Sequence, residues 1–468
     1  MPSSQQIQQL SQQPYALGNH ICGEANINPW AICADHFKDG KLQSSLSQGF
    51  TSLEQDGIAI DQNTRFGVGS LTKMFTSAGL LKLWDDELTD LKASKLSADQ
   101  TTTSSIDNLP KINFPLGIDT PLSHFMERLK NKFPESTYLS QIEEVEHYSK
   151  VTLRDLLNHT HGLGARDEEQ IAKFQLQNPN YEFSCSQLVE FSKYNPNDKF
   201  GEFKYGNLGC ELSGMIIELI TDKPYRQAMK DLVFDQVQAT NTFLKSIEIK
   251  DPDVVRGYCY ITPCKLGGEL FLGGEMNFNT SGNSLASGGL VTKPADADKF
   301  IRKFLNKDLS KSLFNNQEVI DSLYRDQHLD GKHHLCGVYK YPDATFGHNG
   351  HSGSGESSLR YNPATSETFF YSAVGETLTY AVAYEILDLQ RKKDGVDNKI
   401  SPQETIAKRE ELIKSGYDFL KIKKMHDAGI GFENIVKKIN HKLSSSQQNS
   451  FVERVTSMSS KPSGLLSR

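Results

Sequence analysis

No stretch of this sequence reaches the ~18 consecutive apolar residues that a membrane-spanning helix needs, so a soluble protein is expected. Its first residues, MPSSQQIQQLSQQPYALGNHICGE, lack the basic start and continuous apolar segment of a secretory signal. On that basis the chain is expected to be either cytoplasmic or exported by a route that uses no signal peptide. Cysteine is sparse: seven residues, at 22, 33, 185, 210, 259, 264 and 336, an odd number without regular spacing. This argues against a disulfide framework and for reduced thiols. Cys259 and Cys264 are the only close pair, and no second pair completes a zinc site. A Gly-x-Ser-x-Gly elbow is also missing, which removes support for an α/β-hydrolase triad.

What is present is globular. Apolar residues make up 37% and charged residues 23%, with 25 Phe and 17 Tyr, so there is enough apolar surface to bury a core. At 468 residues the chain is too long for one ordinary core, and two packed lobes with an appendage are expected. The net charge of −7 hides a split: residues 391–468 carry 16 Lys and Arg against 9 Asp and Glu, leaving −14 on the preceding 390 residues. An acidic body excludes nucleic-acid binding as its main task.

The pattern along the chain changes period several times. Residues 30–69 alternate apolar and polar segments around KDGK at 38–41, which predicts a hairpin leading to Gly67 and Gly69. From Leu71, the apolar residues Met74, Phe75, Ala78 and Leu81 recur at helical spacing. ASKLSADQTTTSSIDNLP, 93–110, reads as a polar surface loop. In VTLRDLLNHTHGLG, 151–164, Thr152 and Asp155 form a capping-box pattern and two glycines are expected to stop the helix. Leu208, Leu212, Met215, Ile216 and Leu219 predict another buried helix face, and SSLRYNPATSETFFYSAVG predicts two strands around a turn. A helix with Val382, Ile386 and Leu387 inside follows them.

Strands early, helices in the middle, strands late and a closing helix imply an α/β chain of the α+β type. The sheet would be mainly antiparallel, flanked by N- and C-terminal helices, with a helical lobe inserted. The expected boundaries are a domain over 1–390, with its sheet lobe at about 25–69 and 250–390 and its helical lobe at about 70–249. Residues 391–468 would form a basic extension with helices at about 402–425 and 431–443, ending in a Ser-rich mobile segment. That extension is either a solvated basic face or a contact for a protein partner.

Three short motifs can carry chemistry. Ser70-Leu-Thr-Lys73 is the only Ser-x-x-Lys of the chain, and it opens the helix after Gly67 and Gly69. Residues at i and i+3 share one helix face, so the amine lies beside the hydroxyl. A serine needs such a base, and the amine must be neutral to accept the proton. The unpaired N–H groups of a helix start would add one arm of an oxyanion hole. Alone, the same pattern describes a capping serine followed by a solvated lysine. Tyr205-Gly206-Asn207, the only Tyr-x-Asn, precedes a helix and puts a phenol and a carboxamide on one loop. GHNGHSGSGESS, 347–358, is Gly-rich and leads into a strand, so His348 can face a substrate while a backbone N–H supplies the second oxyanion donor. A turn Asn with a packed Tyr, and a glycine-rich turn with incidental histidines, are the plain alternatives.

The ordered set Ser-x-x-Lys, Tyr-x-Asn and His-x-Gly, with TLRDLLNHTHGL and LASGGLVTKPADADKF, resembles the serine β-lactamase and penicillin-binding-protein superfamily over about residues 25–390. The closest likeness is to its class C, esterase and D-aminopeptidase-like branch. The resemblance implies a hydrolase that works through an acyl-enzyme and uses neither metal nor organic cofactor. It implies that Ser70 is the acylated nucleophile and that Lys73 receives or relays its proton. Tyr205 would pass a proton to the leaving group and activate the deacylating water, and Asn207 would bind a substrate amide. The backbone N–H groups of Ser70 and His351 would hold the oxyanion, beside Gly350.

Where these enzymes usually carry Lys-Thr-Gly, this chain has His348-Asn349-Gly350. A histidine is only partly charged near neutrality, which favours a small or peptidic ester or amide over a carboxylate-bearing substrate. A β-lactamase or D,D-peptidase is the alternative, and a weakly catalytic scaffold using its tail as an interaction module is another. His161, two residues after His159, suggests a metal only if a third ligand exists, and is otherwise a helix C-terminus histidine. His333-His334 reads as surface.

Overall fold

The computed structural model describes residues 28–442 except 53–55, 99–112, 179–180, 247–250, 257, 260–264, 267–268, 271–275, 278–283, 330–331, 353–354, 377, 396–399, 401, 418–420, 423, 426–427 and 431. The Ser-rich end, Cys264 and most of the polar loop at 93–110 lie outside the described residues. Two compact units emerge, Met1–Gly257 with Met276–Gly375, and Tyr258–Glu275 with Glu376–Arg468.

The first unit is built on a sheet whose strands run in the order Gln327–Leu329, Lys332–Leu335, Val338–Lys340, Phe346–Ser352, Gly355–Asn362 and Glu367–Glu376, then Asn28–Lys38 and Lys41–Gln48. The sequence-consecutive neighbours are all antiparallel, joined by short turns. Asp39 and Gly40, both at positive φ, make the predicted KDGK hairpin turn between the first two strands of the chain. Early and late segments therefore share one sheet, as the order of elements implied. It is the mainly antiparallel α+β fold.

The helix Thr72–Ala98 buries the face its spacing predicted: Leu71, Met74, Phe75, Ala78 and Leu81 are all at most 1% exposed. Phe75 stacks on Phe300 with ring centroids 3.5 Å apart. Each of the Leu, Met and Phe side chains contributes about 1.5–3 kcal/mol of transfer free energy. This helix continues to Ala98, so residues 93–98 belong to it and not to a loop. Ala93 and Lys95 are exposed, and a short stretch of a helix end with no buried apolar face reads as loop.

Leu153–Asn158 begins with the expected capping box, Thr152 accepting from Asp155 N–H and Asp155 from Thr152 N–H. It does not end on a glycine. His159 takes the left-handed conformation, φ 61°, and its carbonyl accepts from Lys204 N–H at 2.8 Å. Gly162 and Gly164, also at positive φ, lie in the loop beyond. The helix Leu208–Thr221 buries Leu208, Leu212, Met215 and Ile216 completely.

In the second unit, Leu378–Asp394 buries Val382, Ile386 and Leu387, and extends four residues past the boundary expected at 390. The first expected tail helix is broken: Pro402–Lys414 stops ahead of Gly416 at φ 81°, and residues 421, 422, 424 and 425 are helical again, while Phe432–Lys442 follows the second expected span. Its apolar side is Ile435, Val436 and Ile439.

Candidate active site

The site is assembled around a chain reversal. Phe66–Gly67 pairs antiparallel with Leu290–Thr292, which pairs in turn with Phe243–Leu244. Val68 N–H then donates to Leu290 O at 3.0 Å, and the chain turns through Gly69–Leu71 into the long helix. Gly69 has φ +52°, and a Cβ there would lie 2.6 Å from His351 O. Only glycine allows both the turn and the approach of the strand Phe346–Ser352. Gly350 has the same requirement, since a Cβ on it would strike Val68 O and Ser357 Oγ, and Ser357 Oγ itself donates to Val68 O at 2.8 Å.

Ser70 is half-buried in that turn and does not cap the helix. Lys73, one turn on, is 1% exposed. Its Nζ donates to three oxygens: Ser70 Oγ at 3.1 Å, Asn207 Oδ1 at 2.8 Å and Ser287 O at 2.9 Å. The ring of Tyr205 faces the same amine, with Nζ 4.9 Å from its centroid. Tyr205 is 45% exposed and packs against His159 at 4.6 Å and His348 at 6.2 Å between centroids. Asn207 occupies the N-cap of Leu208–Thr221 but makes no side-chain cap. Its amide bridges Lys73 and Glu168, Nδ2 donating one hydrogen to Glu168 Oε1 at 2.8 Å.

The structure thus brings Ser70, Lys73, Tyr205 and Asn207 into direct contact or onto common partners. Gly350 and His351 meet the serine turn through their main chain, and the His351 side chain is exposed. His348 differs from expectation. It is 4% exposed, its Nδ1 donates to Asn349 O, and its buried Nε2 has no hydrogen-bond partner among the described residues. Burial, and then the nearby Lys73 charge, lowers its pKa to about 3. It is a buried, neutral imidazole, not a partly charged one.

Two further histidines are neutral for the same reason. Burial first, and Lys73 next, pushes His159 well below the usual histidine value. His161, buried beyond the helix end, is lowered to about 4, and its Nδ1 accepts from Leu163 N–H at 3.0 Å. It serves a backbone turn and not a helix terminus. His334 is also buried, against Phe203 and Tyr339, while only His333 is at the surface, bonded to Asp326. Among the described residues no group of three or more His, Cys, Asp or Glu side chains is disposed to hold a metal ion. Cys33, Cys185, Cys210 and Cys336 are buried free thiols.

Sequence reasoning missed the residues beneath the site. Glu211, fully buried, accepts from the backbone N–H groups of Leu285, Ala286 and Ser287, from Ser287 Oγ at 2.6 Å and from Arg166. It shapes the loop that offers Ser287 O to Lys73. A charged residue inside the apolar stripe of Leu208–Thr221 was the available signal, because an unpaired buried carboxylate is prohibitive.

A serine and a lysine in contact, with tyrosine and asparagine from one loop and a Gly-rich strand behind, define a class of serine enzymes on a mixed α/β scaffold. The chain belongs to the Beta-lactamase family, whose model matches residues 36–384. Its fold is similar to that of a penicillin-binding protein from Bacillus halodurans, with a TM-score of 0.53 and 18% identity over 76% of this chain and 96% of that one. It is also similar to a D-amino acid amidase from Ochrobactrum anthropi SV3 solved with D-phenylalanine (TM-score 0.52, 16% identity, 87% and 100% covered). A D-stereospecific amidohydrolase from a Streptomyces species is a third such structure (TM-score 0.50, 17% identity, 75% and 92% covered). Among the described residues no helix is long and apolar enough to cross a membrane.

Proposed function

We propose that the protein is a serine hydrolase that forms an acyl-enzyme on Ser70, with an uncharged ester or amide, small or peptidic, as substrate. The observation that carries this is the set of partners around Lys73 Nζ. Asn207 Oδ1 and Ser287 O can only accept, so in a neutral amine they take the two N–H groups. In that deprotonated form the third N–H, which the ammonium donates to Ser70 Oγ at 3.1 Å, is replaced by a lone pair aimed at the Ser70 hydroxyl. Lys73 accepts the proton as Ser70 Oγ bonds to the carbonyl carbon, and the N–H groups of Ser70 and His351 hold the developing oxyanion. When the bond to the leaving group breaks, the proton passes from Lys73 by way of Tyr205 to the departing atom. Water, activated by Tyr205, then releases the acyl group. The second hydrogen of the Asn207 amide nitrogen serves a substrate carbonyl.

The substrate class rests on His348. A buried, neutral imidazole where such enzymes usually carry a lysine offers a substrate carboxylate no cation, which favours an uncharged substrate. The amidases among the similar solved structures are in keeping with an amide. Residues 391–468 are proposed to stand outside the catalytic unit, their basic charge serving a protein partner.

The test is labelling with a fluorophosphonate and with a fluorescent penicillin, in wild type and Ser70→Ala. Fluorophosphonate should label the wild type alone, and turnover of a simple ester should fall by at least about 10³-fold in Ser70→Ala. A wild type that takes neither probe and hydrolyses no ester refutes the hydrolase assignment. Penicillin labelling with slow release would instead assign a D,D-peptidase.

A further inference from the structure

Beside Ser70, Lys73 is held by two acceptors, and both are tied to one ion-pair chain, buried at Arg166 and Glu211 and half-exposed at Glu168. On one side, Asn207 Nδ2 donates to Glu168 Oε1 at 2.8 Å. Glu168 receives Arg166 in fork geometry, Nε to Oε1 at 3.0 Å and Nη2 to Oε2 at 2.7 Å. Arg166 then reaches Glu211 through Nη1 at 3.0 Å. On the other side, Glu211 fixes Ser287, whose carbonyl returns to Lys73. Lys73, Asn207, Glu168, Arg166, Glu211 and Ser287 therefore close a ring of polar contacts.

The parts come from separate elements. Arg166 lies on the two-residue strand Ala165–Arg166, paired with Ser192–Lys193. Glu168 opens the helix Glu168–Gln177 behind its Asp167 cap. Glu211 sits one turn after Asn207, its N–H bonded to Asn207 O.

A carboxamide has two ends, and nothing intrinsic to Asn207 decides which one faces Lys73. Turned round, its NH₂ would point at an amine and its oxygen at a carboxylate. Both contacts are repulsive, so Glu168 selects the orientation that leaves Oδ1 on Lys73. We infer that Glu168 is a positioning residue for the reaction: it fixes the amide orientation of Asn207 and through it the aim of Lys73 at Ser70. This rests on the assignment of Ser70 and Lys73 as the reacting pair. The carboxylate of Glu168 is 53% exposed, so it can be removed without opening the core.

The experiment measures the fluorophosphonate labelling rate and the thermal midpoint of wild type, Glu168→Ala, Glu168→Gln, Asn207→Asp and the double variant Glu168→Ala/Asn207→Asp. Glu168→Ala should slow labelling about tenfold, the scale of a reacting group set slightly off line, with little change in midpoint. Glu168→Gln should regain most of the rate, because its carbonyl oxygen still accepts the Asn207 amide. Asn207→Asp supplies an oxygen to Lys73 in either orientation, so in that background Glu168→Ala should cause no further loss. Equal losses from Glu168→Ala in both backgrounds would overturn the inference, as would a Glu168→Ala protein that labels at the wild-type rate. A wild type that takes no label fails at the Ser70 assignment, before the Glu168 variants are compared.

Discussion

Lowering the pH from 7 to 5 should destabilise the protein through its buried neutral histidines, and His161 allows the cost to be isolated. Burial lowers its pKa to about 4; Asp155 and Asp198 act against the shift, while His147 and Lys204 add to it. In the unfolded chain the same imidazole titrates near 6.5. Between the two values the unfolded state binds more protons, so stability is complete above about pH 6.5 and is lost as pH falls toward 4. At pH 5 the loss is set by the unfolded value alone, because the folded one lies lower, and 1.5 pH units correspond to about 2 kcal/mol. The assay is urea unfolding at pH 7, 6 and 5 of wild type and His161→Gln. Glutamine keeps an acceptor for Leu163 N–H, bonded at 3.0 Å in the wild type, but has no proton to take up. Carboxylate effects are common to both proteins and cancel in the comparison. The wild type should lose about 2 kcal/mol more than His161→Gln between pH 7 and 5. Equal losses would show that His161 is not held neutral by burial.

Three other outcomes follow from single side chains. Gly350→Ala places a methyl group against Val68 O and Ser357 Oγ, so fluorophosphonate labelling should drop by about 10²-fold as the strand moves off the Ser70 turn. Asp85→Ala leaves the N–H groups of Asn315 and Asn316 and the buried ammonium of Lys82 without their common acceptor. Urea unfolding should report a loss of about 3 kcal/mol or more. His348→Lys, made to imitate the usual lysine, buries a cation beside Lys73 at a position 4% exposed in the wild type. Its thermal midpoint should be low at neutral pH and recover as pH rises and the new amine loses its proton.

Local rules made much of the fold legible. The hairpin at Asp39-Gly40, the capping box of Thr152 and Asp155 and the buried face from Leu71 to Leu81 all depend on residues a few positions apart. The end of Leu153–Asn158 was misread because His159 is held left-handed by Lys204, 45 residues away, and not by any local glycine preference. His334 was misread for a related reason. Whether a histidine is buried depends on the aromatic rings that reach it, here Phe203 from a distant loop as well as Tyr339.

The sequence by itself determined which residue types were on hand and which pairs must be neighbours. Ser70 and Lys73 share a helix turn whatever the rest of the chain does. Only the tertiary structure decided what that pair is worth. The acceptors that aim Lys73 come from Asn207 and Ser287, 134 and 214 positions along the chain. Burial, which no local pattern encodes, makes His348 neutral and lets Glu211 exist only because Arg166 and a loop of N–H groups surround it. Hydrogen-bond direction and desolvation are properties of a three-dimensional neighbourhood, and the chemistry of this site depends on both.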